Sequence, residues 1–96
     1  MTYKLKFLPS AKREWDKLDH SIKSQFTSKL RKCLEKPDVP PNRLRDFDCA
    51  YKITLRSAGY RLVYEVDDQE IIVFVIAVGT RENNNVYNKA RNRKKV

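Results

Sequence analysis

Tyr3, Leu5 and Phe7 alternate with Lys4 and Lys6, the period of two that predicts a strand buried on one face. Pro9 and Ser10 then open a helix in which Ala11, Trp15 and Leu18 recur at helical spacing. Lys12, Arg13, Asp16 and Lys17 occupy the other side. Asp19 stands where the N-cap of a second helix is expected, and Ile22, Phe26, Leu30, Cys33 and Leu34 form its apolar stripe. The prolines at 37, 40 and 41 end this helical hairpin, because proline cannot continue a helix interior and holds the preceding residue extended.

Three strand-like runs follow a connection from Arg43 to Cys49. Tyr51, Ile53 and Leu55 alternate with Lys52, Thr54 and Arg56, and Tyr60, Leu62, Tyr64 and Val66 alternate with Arg61, Val63 and Glu65. Ser57-Ala58-Gly59 marks the turn between them. If both apolar sets share the core side, Leu55 faces Leu62, Ile53 faces Tyr64 and Tyr51 faces Val66. That register sets Arg56 opposite Arg61 and Lys52 opposite Glu65. The run Ile71–Val78 is apolar throughout, which suits a central strand covered on both faces and broken by Gly79. Val86 to Arg93 closes the pattern as a short helix. The expected fold is α+β in the order β-α-α-β-β-β-α: a small, mainly antiparallel twisted sheet, a helical hairpin on one face and a short C-terminal helix.

At 96 residues the chain has room for one domain, taken as 1–96 with a basic tail from about 89 to 96. Lys+Arg 21 against Asp+Glu 12 gives a net charge of +9, which points to a polyanionic partner. A membrane is disfavoured because no segment approaches the roughly 20 apolar residues of a span. The N-terminal residues lack the pattern of a secretory signal, so a cytoplasmic protein is expected, with Cys33 and Cys49 as thiols. Cys33 reads as core packing and Cys49 as a half-buried thiol in a polar connection.

Composition narrows the chemistry further. Asp67, Asp68 and Glu70 cluster in a turn, where short acids favour chain reversal, so no metal site is expected. The single histidine, His20, cannot support two-histidine acid–base catalysis, and two glycines cannot build a phosphate loop. Lys, Arg and Tyr remain. A cluster of cations can stabilise charge growing on a phosphate in transit, and an exposed tyrosine can stack on a base. The face of the sheet away from the helices is the expected place for such a cluster. Arg45, Arg81 and Tyr87 lie close enough in the pattern to join it. The bland alternative is a solvated face whose strand-borne cations splay into water.

The run Tyr51-Lys52-Ile53-Thr54-Leu55-Arg56-Ser57-Ala58-Gly59-Tyr60-Arg61-Leu62-Val63-Tyr64, followed by Gly79-Thr80-Arg81-Glu82 and Val86-Tyr87, resembles the RelE toxins of bacterial toxin–antitoxin systems. The likeness extends to Glu14-Trp15 and Leu18 and covers nearly the whole chain. It implies a ribosome-dependent endoribonuclease that cuts mRNA in the A site of the 70S ribosome, without metal or cofactor, and a RelB-like antitoxin that neutralises it. Operator DNA would be reached only through the antitoxin complex. The resemblance assigns catalysis to Lys52, Arg61, Arg81 and Tyr87 and a substrate-phosphate contact to Arg45, and Thr54 and Arg56 are expected to join Arg45 in contacting RNA. Thr54 stands where the best-known members carry a second lysine, and Thr80 where a lysine is common. The implied reaction is attack of a 2′-hydroxyl on the adjacent phosphorus. Lys52 or Tyr87 takes the proton unless Tyr87 stacks on a base instead, Arg61 holds the phosphate, and Arg81 protonates or, as its high pKa favours, stabilises the leaving oxygen. Two competing readings are a ParE-like toxin that inhibits gyrase and a non-catalytic RNA-binding module.

Overall fold

A computed structural model describes residues 2–37, 43–44, 50–56, 59–80 and 90. Strand β1 (Lys4–Phe7) leads into helices α1 (Pro9–Asp16) and α2 (His20–Glu35), followed by strands β2 (Ala50–Leu55), β3 (Tyr60–Asp67) and β4 (Ile72–Thr80). The sheet order is β1-β4-β3-β2. β4 is antiparallel to β3, and β3 to β2, whereas β1 and β4 run parallel. This is the α+β architecture expected, with β4 in the interior of the sheet. The expected C-terminal helix falls outside the described residues except for Ala90, which is buried.

The helix starts follow from local chemistry. Pro9 occupies the first turn of α1, where a missing N–H costs nothing. Asp19 holds the N-cap position of α2, and its carbonyl accepts the Lys23 N–H at 3.0 Å. Its side chain makes no capping hydrogen bond. The exposed carboxylate still places negative charge at the positive end of the helix dipole.

Apolar stripes from both helices cover one face of the sheet. Ala11, Ile22, Phe26 and Leu30 pack with Tyr51, Ile53, Leu62, Tyr64, Val73 and Val75. Trp15 bridges the hairpin to β1, its ring 5.3 Å from that of Phe7 and 6.1 Å from that of Phe26. Tyr64 is fully buried, stacks on Tyr51 at 5.6 Å and donates its hydroxyl to the Pro37 carbonyl at 2.9 Å. That bond ties the chain leaving α2 to the centre of the sheet.

The opposite face is less open than the sequence suggests. Ala50, Val63, Ile76, Ala77 and Ala90 form a second buried cluster there, with Leu8, Leu44 and Phe74 packed around it. A bulge creates part of this cluster: Val63 pairs with Ala77 but Tyr64 with Val75, so Ile76 is the extra residue, and Ile76 and Ala77 both enter the cluster. Lys52, Thr54 and Arg61 are thereby left at the margin of this face, while Glu65 of β3 is buried within it.

Two details of the sheet differ from expectation. The β2–β3 pairs are Leu55 with Tyr60, Ile53 with Leu62 and Tyr51 with Tyr64. Gly59 explains the shift. The last loop position takes φ +70, which glycine reaches without strain, and the Gly59 N–H donates to the Leu55 carbonyl at 2.9 Å. The expected register would put Tyr60 at that position. The shift preserves which face each side chain occupies, but Thr54 now opposes Arg61, Lys52 opposes Val63, and Arg56 belongs to the turn. The expected Arg56–Arg61 opposition does not form. Gly79 also does not break β4, which continues to Thr80, because pairing with Arg61 outweighs glycine's weak strand preference.

Beyond Phe7, β4 has no strand on the β1 side, and α1 takes over. The Leu8 N–H donates to the Val75 carbonyl at 3.0 Å, and the Val78 N–H donates to the Glu14 carboxylate at 3.2 Å. At the other end of β4, Asp67 accepts the N–H groups of Gln69 and Glu70, both at 3.1 Å, as expected of a turn residue. Asp68 accepts the Tyr3 hydroxyl at 2.6 Å. Among the described residues no helix is long and apolar enough to cross a membrane.

Candidate nucleic-acid cleft

β2 is an edge strand, but its edge is not uniform. Its first residues are covered by the segment before it: Arg43 bridges to Tyr51, and the Leu44 N–H donates to the Ala50 carbonyl at 3.0 Å. From Lys52 onward an open cleft of about 750 Å³ runs along the strand. Lys52, Thr54 and Arg61 line it from the sheet and Arg56 and Gly59 from the turn, while Lys29, Lys32 and Cys33 line it from α2. Among the described residues, five cations and no carboxylate share this concavity.

The arrangement follows from period-two geometry. Lys52 and Thr54 are two residues apart on β2 and project from the face away from α2, because Tyr51, Ile53 and Leu55 are committed to the helix-side core. Arg61 emerges on the same face directly across from Thr54. Lys52 is its diagonal neighbour, a relation that sets residues about 7–8 Å apart in an antiparallel pair. All three are half-buried, and the Arg61 Nε is buried. Their stems rise beside the second apolar cluster, where Val63 is fully buried opposite Lys52. Partial burial strengthens electrostatic interactions with an incoming anion relative to open water.

The cleft thus brings Lys52, Thr54, Arg56 and Arg61 together. Arg45, Arg81 and Tyr87 lie outside the described residues, as does Cys49. Cys33 packs against the helix-side core as expected, but it is half-buried and also lines the cleft. Burial pushes its thiol above the ordinary value of 9.0, opposed by a hydrogen bond with the Tyr64 hydroxyl and by the nearby Lys29 charge. His20 is exposed at the start of α2.

Lys29 and Lys32 were legible in the sequence only as cations beside an apolar stripe. What the pattern lacked was the angle at which α2 lies over the sheet. The Lys29 Nζ donates to the Thr54 carbonyl at 3.1 Å, so the cation is docked at the edge of β2. Among the described residues, no three His, Cys, Asp or Glu side chains gather in a way that could hold a metal ion.

Comparison with known proteins adds to this geometry. The model for the ParE toxin of type II toxin–antitoxin systems (parDE) matches residues 5–85. A putative RelE-like toxin protein of Escherichia coli is 48% identical over 93 residues, covering 97% of this chain and 98% of that protein. The mRNA interferase toxin RelE of E. coli K12 is 48% identical over 90 residues, covering 94% and 95%. The structure of a mutant E. coli toxin RelE in the free state superposes with a TM-score of 0.92 at 45% identity, over 99% of this chain and 100% of that one. The same toxin bound to a peptide of the antitoxin RelB superposes at 0.82, again at 45% identity, over 100% and 99%. The match spans β1 through β4 and the cleft between α2 and the sheet edge, so the chain belongs to the RelE/ParE family of toxins from type II toxin–antitoxin systems.

Proposed function

We propose that this protein is an mRNA endoribonuclease toxin that cuts messenger RNA in the ribosomal A site and is held inactive by a RelB-like antitoxin. The observation that carries the reading is the basic cleft lined by Lys52, Thr54 and Arg61, in a chain 48% identical to a protein named mRNA interferase toxin. Such a cleft suits a reaction whose difficulty is charge. The 2′-oxygen forms a bond to the adjacent phosphorus as the bond from phosphorus to the 5′-oxygen breaks, leaving a 2′,3′-cyclic phosphate and a 5′-hydroxyl. The proton lost by the 2′-hydroxyl passes to the deprotonated amine of Lys52 or the phenolate of Tyr87, which later returns it to water, and the departing 5′-oxygen takes its proton from water beside Arg81.

Arg61 is assigned to the phosphate. Its planar fork of donors matches two phosphate oxygens, and its partly buried stem holds it in place before substrate arrives. Arg81 is assigned to stabilising the leaving oxygen through charge, since a guanidinium holds its protons too tightly to be a good acid. Thr54 offers a hydroxyl beside Arg61, and Arg45 and Arg56 supply phosphate contacts. Tyr87 either accepts the proton or stacks on a base. The antitoxin assignment rests on the complexes formed by the E. coli relative with RelB.

Bacterial 70S ribosomes carrying a defined A-site codon provide the test. Wild-type protein is expected to cut within that codon, and Lys52→Met or Arg61→Ala to slow single-turnover cleavage by about 10²–10³-fold, the usual loss for a charge-stabilising donor. Ribosome binding without cutting would leave only an RNA-binding module. The matching family model bears the name of a ParE toxin, and gyrase inhibition without mRNA cleavage would establish that second reading.

A further inference from the structure

We propose that Lys29 of α2 is a phosphate-contacting residue for the substrate RNA strand, working from the opposite side of β2 to Lys52 and Arg61. The inference extends the RNA-cleaving reading just given. Lys29 is exposed, lines the cleft, and is fixed by its hydrogen bond to the Thr54 carbonyl at 3.1 Å. An ammonium group has three donors, and the Thr54 carbonyl is its only hydrogen-bond acceptor among the described residues. The remaining donors are available to the cleft. Lysine stems usually lose much rotamer freedom when they meet an anion. Here docking on the backbone removes part of that cost before RNA arrives.

The sidedness argues for a second phosphate. Lys52, Thr54 and Arg61 leave the sheet on the face away from the helices, whereas Lys29 approaches from the helix side. A phosphate held by Lys52 and Arg61 on one face leaves Lys29, which approaches from the other, to meet a neighbouring phosphate of the same strand. A single RNA strand crossing the edge of β2 presents successive phosphates to each side in turn. Lys32, one helical turn beyond Lys29, extends the same ledge. An edge-strand lysine can also serve only to blunt the edge against unwanted pairing, so the experiment separates charge from hydrogen bonding.

The probe is a short single-stranded 2′-O-methyl RNA, which cannot be cut, titrated into the full-length protein at several salt concentrations. Loss of one phosphate contact lowers the slope of log affinity against log salt by about 0.7 for a single strand. Lys29→Met and Lys29→Gln are both expected to show that reduction, although glutamine can still donate to the Thr54 carbonyl. Lys29→Arg is expected to retain the wild-type slope. Arg31→Ala, which removes an exposed cation of α2 that does not line the cleft, is expected to leave it unchanged. A wild-type slope in Lys29→Gln, or an equal reduction in Arg31→Ala, overturns the proposal.

Ribosomes whose mRNA ends at the P-site codon supply a second arm. If Lys29→Met weakens binding to these as much as to ribosomes with a filled A site, its contact is with ribosomal RNA and the substrate assignment falls. Failure of the wild type to cleave programmed ribosomes would remove the nuclease reading by itself, while the salt slopes would still report on Lys29.

Discussion

Thr54 carries much of the character of this cleft. It opposes Arg61 and offers its carbonyl to Lys29, so one small neutral residue separates two cations. Thr54→Lys is expected to raise the single-turnover cleavage rate about tenfold, equivalent to about 1.4 kcal/mol in the barrier. The same change sets like charges directly opposite on the sheet and is expected to lower stability by about 0.2–1 kcal/mol in chemical denaturation. A smaller gain in rate would mean that Lys52 and Arg61 already supply the charge on that face. Cys33 offers a readout of occupancy. Its thiol is pushed up, first by burial, so thiolate-selective alkylation at pH 8 is expected to be slower in the native protein than in urea, and slower still with RNA in the cleft. Because the raised value favours the neutral thiol in the fold, this group's contribution to stability is full below 9.0. It declines as pH rises through the higher native value.

The hairpin β2–β3 and the helix α1 each depend on one unusual position. At Gly59 an added Cβ would meet nothing within 4 Å, so the cost of Gly59→Ala is conformational: about 1–2 kcal/mol for a left-handed residue, read as a fall in urea midpoint with unchanged slope. For α1 the position is Glu14, whose carboxylate accepts the Val78 N–H. Glu14→Ala leaves that donor without this acceptor and is expected to cost about 1–3 kcal/mol, with Glu14→Gln, which keeps an acceptor, closer to wild type. These two residues also mark how far sequence reasoning reaches. Periodicity located every described element, because apolar side chains had to face one core. It also identified the face of Lys52 and Arg61, since a hairpin slip that keeps parity keeps the faces. Which residues oppose each other depended instead on the backbone angle at Gly59. The bulge at Ile76 and the reach of Glu14 to β4 arise from long-range pairing that leaves no local signal.

Across the whole molecule, charge and architecture divide the labour. Helix-side packing and the second cluster at Ala50, Val63 and Ala77 fill both faces of the inner strands, and Lys29, Lys32, Lys52, Arg56 and Arg61 gather where the sheet runs out, at the edge of β2. Under the proposed function, the RNA strand would be met at a margin, where an extended strand can enter from either side. Net charge of +9 pointed only to a polyanionic partner, and the placement of Lys29, Lys52 and Arg61 distinguishes a cleft from a uniformly basic surface. The parallel pairing of β1 with β4 carries a further consequence for how the protein is made. The first strand emerges from the ribosome early, yet its partner, Ile72 to Val75, is synthesised only after the helices and the hairpin. Local elements can form as they appear, but the sheet cannot close until most of the chain is outside. Helix α1 can pack early on Phe7 and Phe26 through Trp15, but its bracing against β4 through Glu14 and Leu8 forms only once Val75 and Val78 have been made.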